Sequence, residues 1–373
     1  MHIVYPNLRY DKGLRQPEAV INRNRHIVDW AVCVAAAGAE VSVVHRFNRE
    51  AELTVDGVRH VFVDDPPTDA RRLDERARWV AEAVADLDPD LVHMFQLGRA
   101  LPAAQIRRVA RGAAVLLHEH NDGIPTKALQ RWKVRRTLRR MSALAFTAKD
   151  QAAAWQRAGV VPGSSRIVEL PEGSSRFCVG KRGPARAETR LDGAPVCLWI
   201  GRLSHKNDPL TVVRGFKQAL ESLPDALLVM VYGESELFRP VQAWLAAYPD
   251  VSQRVVLHGE VSPEKLEPIF NSADVFAIGT SEDGSALAVV EALACGVSPV
   301  VTDIPAFQAL TGQGAVGRLW PVGSPEAFAA ALIEEGRSMT PELRSRNRAF
   351  FDANLSPAAL GVRAIKAYEE LAR

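Results

Sequence analysis

Val196-Cys197-Leu198-Trp199-Ile200-Gly201-Arg202-Leu203-Ser204-His205-Lys206-Asn207-Asp208-Pro209 runs from an apolar, strand-like segment through a glycine and two cations into a helix start. A strand, a Gly turn, an arginine, a lysine and the free N–H groups of a first helical turn suit an anion, and a diphosphate above all. The plain alternative for this stretch alone is a solvated loop with incidental charges.

The same rhythm continues on both sides. Downstream, strands are predicted at residues 227–232, 255–258, 275–278 and 299–302, with helical patterns at 209–220, 237–247, 263–271 and 286–294. Upstream, strands are predicted at 3–5, 41–45, 60–63, 91–95, 114–117, 143–146 and 166–169, with helices at 20–37 and 73–87. Alternating βα units predict α/β architecture with parallel sheets covered on both faces. So many strands are unusual for one sheet, so two doubly wound Rossmann-like domains are expected. The join is placed in residues 171–195, rich in Gly, Pro and Arg. That divides the chain into 1–170, a linker 171–195, a second domain 196–355, and a last helix 356–373. Ligands of such sheets sit beyond the carboxyl ends of the strands, so two facing domains predict a cleft as the site.

The 373 residues fit about two domains. A 24% charged and 47% hydrophobic composition excludes global disorder and a disulfide-dense mini-scaffold. Net charge is +2, which does not suit a general nucleic-acid binder. Residues 1–180 carry 27 basic and 21 acidic side chains, and residues 181–373 carry 19 and 23, so the excess positive charge belongs to the first half. Cys33, Cys178, Cys197 and Cys295 have no metal spacing and read as free thiols of a reducing cytoplasm. No apolar run reaches membrane-spanning length and no signal layout opens the chain.

A second segment, Ser281-Glu282-Asp283-Gly284-Ser285-Ala286, leads into an Ala-rich helix that carries Glu291 on otherwise apolar surroundings. A buried carboxylate without donors is costly, so Glu291 is expected to have partners, and ligand hydroxyls are good ones. An N-capped core helix with one snorkelling glutamate is the structural alternative.

Taken together these segments resemble the retaining glycosyltransferases of the GT-B fold, specifically glycosyltransferase family 4. The resemblance rests on Gly201-Arg202-Leu203 followed by Lys206, and on Glu291-Ala292-Leu293-Ala294-Cys295-Gly296-Val297-Ser298-Pro299-Val300-Val301. Ala273-Asp274-Val275-Phe276 and, in the first half, Asp88-Pro89-Asp90-Leu91-Val92-His93 add to it. Departures are visible. Asp283 stands where the family's Glu-x7-Glu element has a glutamate, with Glu282 beside it. Lys206 follows Arg202 one residue sooner than the commoner spacing. The first loop has Gly13 alone where many relatives have a glycine pair.

The resemblance implies that Arg202 and Lys206 bind the donor diphosphate, and that Glu291 takes the ribose hydroxyls. It implies that Asp283 holds the donor sugar, helped by the N–H groups of Gly284, Ser285 and Ala286, and that the base lies near Gly233 and Gly259. A histidine lining the cleft would be His118 or His120; a surface pair or a metal pair are the alternatives. The implied reaction is transfer of a sugar from a nucleoside-diphosphate sugar to an acceptor hydroxyl, with retention, no metal and no other cofactor. The Asp-x-Asp patterns at Asp86 to Asp90 read as capping groups at an amino strand end. Rival readings are a sugar-nucleotide epimerase and an inactive binding partner of the same fold.

Lys127 to Arg140 holds seven basic residues, no acidic ones, and Leu129, Trp132, Val134 and Leu138. Such a helix suits an anionic lipid surface or acceptor, which would place a cytoplasmic protein peripherally at the inner membrane face. A solvated helix with a core-facing side is the alternative, and nucleic acid is not expected.

Overall fold

The buried apolar runs become strands, and the strands divide between two units of a computed structural model that describes residues 1–64, 78–120, 123–233, 236–281 and 286–372. The first unit is Met1–Ser174 with Pro357–Arg373, and the second is Ser175–Ser356.

In the first unit, β1 (His2–Asn7), β2 (Glu40–Phe47), β3 (Ala51–Val55), β4 (Val58–Asp64), β5 (Leu91–Phe95), β6 (Ala114–His118), β7 (Ala143–Phe146) and β8 (Ile167–Glu169) lie in the order β3-β4-β2-β1-β5-β6-β7-β8. All pairs are parallel except β3 with β4. In the second unit, β9 (Val196–Gly201), β10 (Leu227–Tyr232), β11 (Val255–Gly259), β12 (Val275–Ile278), β13 (Ser298–Thr302) and β14 (Arg318–Trp320) form a parallel sheet in the order β11-β10-β9-β12-β13-β14. Each sheet starts in its middle, winds to one side, then crosses back to wind to the other. The reversals fall between β1 and β5 and between β9 and β12, where open α/β sheets leave a crevice at the carboxyl ends.

The first unit's core is closed by its last helix. Pro357–Ala372 packs on Arg25–Ala36, and Gly361 sits so close to the Cys33 carbonyl that no Cβ fits. Tyr368 is fully buried; its Oη accepts from Trp30 Nε1 (2.9 Å) and lies 2.6 Å from His93 Nδ1 and 3.1 Å from Tyr5 Oη.

Several boundaries differ from the sequence expectation. The helix expected at 20–37 is two, Pro17–Arg23 and Arg25–Ala36, broken at Asn24, whose side-chain Nδ2 donates to the Val20 carbonyl (2.8 Å). An asparagine amide competes for backbone groups in this way. The unforeseen β3 is joined to β4 by Asp56-Gly57, both at positive φ, the geometry of a two-residue hairpin. The three-residue β14 was also unforeseen.

Residues 171–195 are not a bare linker. They contain the helix Arg182–Thr189, which packs on Leu266–Ser272. Arg182 and Arg186 both bond the buried Asp274 carboxylate, Arg186 at 2.6 Å, and Asp274 also accepts from Val196 N at 2.8 Å. Composition suggested a tether, but the ion pairs fasten most of it to the amino end of the second sheet.

Candidate active site

At the carboxyl edge of the second sheet the chain leaves β9 through Gly201, Arg202 and Leu203, makes a short turn over His205–Asn207, and enters the helix Pro209–Ala219. Asp208 caps that helix from a left-handed backbone, its side chain accepting from Thr211 N (3.2 Å). Arg202 is exposed and Lys206 half-buried. The turn is stitched to the segment after β12. Ser281 N donates to the Lys206 carbonyl (3.0 Å), and the buried Asn207 donates to the Arg202 carbonyl (3.1 Å) while accepting from Thr280 Oγ1 (3.4 Å). Two glycines permit the approach. A Cβ on Gly201 would meet Asn207 Nδ2 at 2.9 Å, and one on Gly279 would meet the Asp208 carbonyl at 3.0 Å.

The helix Ala286–Ala294 follows. Ala288, Val289, Val290, Ala292, Leu293 and Ala294 are buried, while Leu287 and Glu291, one turn apart, share the open face. Burial raises the Glu291 carboxyl to about 7. Among the described residues nothing donates to it, so its expected partners are not protein groups described here. A carboxylate so placed gains most from hydroxyl donors brought by a ligand. Gly233 follows β10 and Gly259 ends β11 at the same edge, Gly259 at positive φ. Arg202, Lys206, Gly233, Gly259, Ala286 and Glu291 therefore share one edge of one sheet. Asp283, Gly284 and Ser285, with Glu282, lie outside the described residues.

In the first unit the two candidate histidines part company. His118 is fully buried among aromatic rings, its Nε2 on the Leu170 carbonyl (3.1 Å), and burial lowers its pKa to about 3. It lies within the aromatic core of the first unit. His120 is half-buried and borders a cavity of about 160 Å3 at the carboxyl ends of β1 and β5, with Asn7, Arg9, Asn24, His26, Phe95, Gln96 and Arg99 among its walls. Burial, with His118, His93 and His26 nearby, holds His120 well below the usual histidine range, so it is a neutral imidazole. The sequence reading missed this cavity's other residues, and missed Asn207 and Thr280. A larger cavity of about 540 Å3, lined by Arg318, Glu335 and Arg346, adjoins the start of β14 rather than the carboxyl edge, so size alone misplaces the site.

The Asp-x-Asp pattern is structural: Asp90 accepts from His2 N (2.7 Å) at the amino end of β5. Among the described residues no three His, Cys, Asp or Glu side chains converge as metal ligands. In the helix Ala128–Leu138, Leu129 and Trp132 are 65% and 56% exposed, beside exposed Lys127, Lys133, Arg136, Arg139 and Arg140. Among the described residues no helix is long and apolar enough to cross a membrane.

Comparison with known proteins agrees with this fold. Residues 24–173 match the family described as Glycosyltransferase Family 4, and residues 194–335 that described as Glycosyl transferases group 1. Among curated proteins, a D-inositol 3-phosphate glycosyltransferase of Nocardia farcinica is 32% identical over 162 residues, 41% of this chain and 36% of that one. A phosphatidyl-myo-inositol mannosyltransferase of Mycobacterium tuberculosis is 30% identical over 192 residues, 50% of this chain and 47% of the relative. The chain thus spans less than half the length of these relatives. Among solved structures, a glycosyltransferase from Rickettsia africae superposes with TM-score 0.73 at 12% identity, covering 99% of this chain and 98% of the other. The Anabaena protein HepE in complex with UDP and glucose gives 0.71 at 15%, covering 99% and 100%. At such identities these two show the fold alone.

Proposed function

The chain belongs to the GT-B glycosyltransferases of family 4, and on that premise we propose that it moves a sugar from a nucleoside-diphosphate sugar to an acceptor hydroxyl, with retention of anomeric configuration and without a metal. The observation that carries the reading is the edge of the second sheet. There, two cationic side chains on the one loop that leaves β9 share the carboxyl end with Glu291, whose carboxyl burial raises to about 7 on the open face of its helix.

The chemistry follows from charge. Transfer leaves a diphosphate whose developing negative charge must be stabilised where it forms. Arg202 and Lys206 supply two positive charges, and Asn207 fixes the turn that presents them. Glu291 takes the ribose hydroxyls, and the base rests by Gly233 and Gly259. Asp283, Gly284, Ser285 and Ala286 hold the donor sugar in this reading. The first unit takes the acceptor, with neutral His120 beside it. Attack from the leaving-group face, assisted by the departing phosphate, gives retention without a protein nucleophile. An epimerase would need acid and base carboxylates around its sugar and would need no acceptor. The bound nucleotides of HepE and the inositol-based names of the curated relatives support a nucleotide-sugar donor and a polyol acceptor.

The test is thermal stabilisation of the full chain by a panel of nucleoside diphosphates and their sugars, followed by transfer assays with the donor that binds. Stabilisation by one nucleotide class and product formation only with an acceptor are expected. An isomerised sugar nucleotide from donor alone would replace the transferase reading with the epimerase.

The helix Ala128–Leu138 supports peripheral contact with an anionic membrane, because its exposed Trp132 and Leu129 are ringed by cations. Sedimentation with phosphatidylglycerol vesicles that falls with added salt and with K133E/R136E is the expected result; equal sedimentation with phosphatidylcholine would remove this contact.

A further inference from the structure

A polar cavity of about 170 Å3 lies at the amino ends of β12 and β13, on the edge of the second sheet away from Arg202 and Glu291. One water needs only roughly 10–15 Å3. Arg182, Asp274, Ser298, Thr340, Arg344 and Asn347 are among its walls. Positive charge exceeds negative there. Arg182 and Arg186 both bond Asp274, so one buried carboxylate already answers two guanidinium groups. Arg344 comes as a third. Its Nη2 donates to Asn271 Oδ1 (2.7 Å), which also accepts from Gly180 N (2.7 Å), while its Nε is buried with no partner among the described residues. Burial, with Arg182 and Arg186 nearby, disfavours its charged form, and an anion would relieve both costs. The backbone makes room for this side chain: Gly296 is at φ 73°, and a Cβ there would meet Arg344 Cγ at 2.6 Å.

Asn347 supplies the opposite polarity. It is 0% exposed, and its Nδ2 donates to the Gly296 carbonyl (3.4 Å), which orients the amide and leaves Oδ1 buried with no partner among the described residues. Ser298 is already engaged, because its Oγ donates to Glu335, whose charge Arg318 meets at 2.9 Å. A donor and an acceptor left unpaired on residues of one cavity favour a ligand that carries both kinds of group. The helix Pro341–Asn354 begins at the rim and adds the positive end of its dipole.

We propose that this cavity binds hydrogen phosphate: its oxygens accept from Arg182 and Arg344, and its hydroxyl donates to Asn347 Oδ1. Guanidinium forks suit the oxyanion. Sulfate has the same tetrahedral shape but no hydrogen to donate, so the buried acceptor makes the site selective. Bound there, the ion joins Arg182, where the chain enters the second unit, to the helix near its exit. The proposal stands apart from the transferase reading, because its residues lie at the opposite edge of the sheet.

Calorimetric titration of the full chain at pH 8 and fixed ionic strength with inorganic phosphate, sulfate and methyl phosphate tests it. All three are dianions there, and only inorganic phosphate keeps a hydroxyl. It is expected to bind at least about tenfold more tightly than either of the others, the worth of one hydrogen bond to a charged group. R182Q changes an exposed side chain whose partner Asp274 keeps Arg186, and it should weaken phosphate binding at least about tenfold. R344Q should abolish the binding, and R202A should leave it unchanged. Equal binding of phosphate and sulfate would mean an adventitious ion only and would overturn the proposal, as would no binding of phosphate. Undiminished binding in R182Q would overturn it too. Loss of binding in R202A would move the ion to the loop after β9 and have the same result. If R344Q fails to fold, R182Q and the sulfate comparison decide.

Discussion

At the carboxyl edge of the second sheet the polar groups arrive together, Arg202 and Lys206 on the one loop after β9 and Glu291 on the helix that follows β12. At the carboxyl edge of the first they arrive singly: Arg9 after β1, Asn24 at a helix break, Gln96 after β5 and His120 after β6. The two sheets share a winding order, and so share the crevice that the winding leaves. They differ in what fills it. One edge presents charge from a short, stitched loop. The other assembles neutral polar groups and separated arginines beside buried aromatic rings.

The comparison breaks most easily at Arg202. R202A is expected to lower the rate of transfer by roughly 10²–10³-fold, about 2.7–4 kcal/mol of transition-state stabilisation, without moving the melting temperature. Steady-state kinetics and a thermal scan check this; normal turnover would place the diphosphate elsewhere.

Glu291 sharpens the same edge. Its raised carboxyl means that the folded chain holds a proton, between the ordinary value near 4.5 and about 7, that the unfolded chain has released. Its contribution to stability therefore falls as pH rises through that window. Nucleotide binding should run the other way, weakening as pH drops below 7, because hydroxyl donors favour the ionised form. E291Q is expected to cost about 1–3 kcal/mol of nucleotide affinity at pH 8 and to flatten the pH dependence. Calorimetry from pH 5.5 to 8 shows whether it does.

The first unit is probed through its floor. Y368F strands Trp30 Nε1 and disturbs His93 Nδ1, and about 1–2 kcal/mol of stability should be lost in urea unfolding while nucleotide affinity stays unchanged. A fall in nucleotide affinity would show that the two edges are not separable. The smallest expected effect is none: a chelator should leave transfer at its original rate, and strong inhibition would refute the metal-free reading.

The difference between the edges also explains what the sequence revealed. The second sheet's site was legible because its groups lie on short stretches with a glycine, cations and a helix start in order. Asn207 was not singled out, since its partner Thr280 belongs to another segment. The first unit's cavity was nearly silent, because its walls come from four separate elements and the strain at Gln96 has no side-chain signature. Parallel strands were legible as apolar runs, whereas β3, with half-buried and exposed residues alternating, was not. The helix Arg182–Thr189 was hidden by its composition, because the acid that holds it, Asp274, lies far along the chain.

The helix Pro357–Ala372 completes the first unit from beyond the second. During synthesis, therefore, the earlier unit is the later one to mature. Its sheet can emerge from the ribosome and wait, but Trp30, His93 and Tyr5 gain the Tyr368 hydroxyl only after residues 175–356 have been translated. Cutting the chain after residue 356 would leave the second unit whole and the first with an open flank.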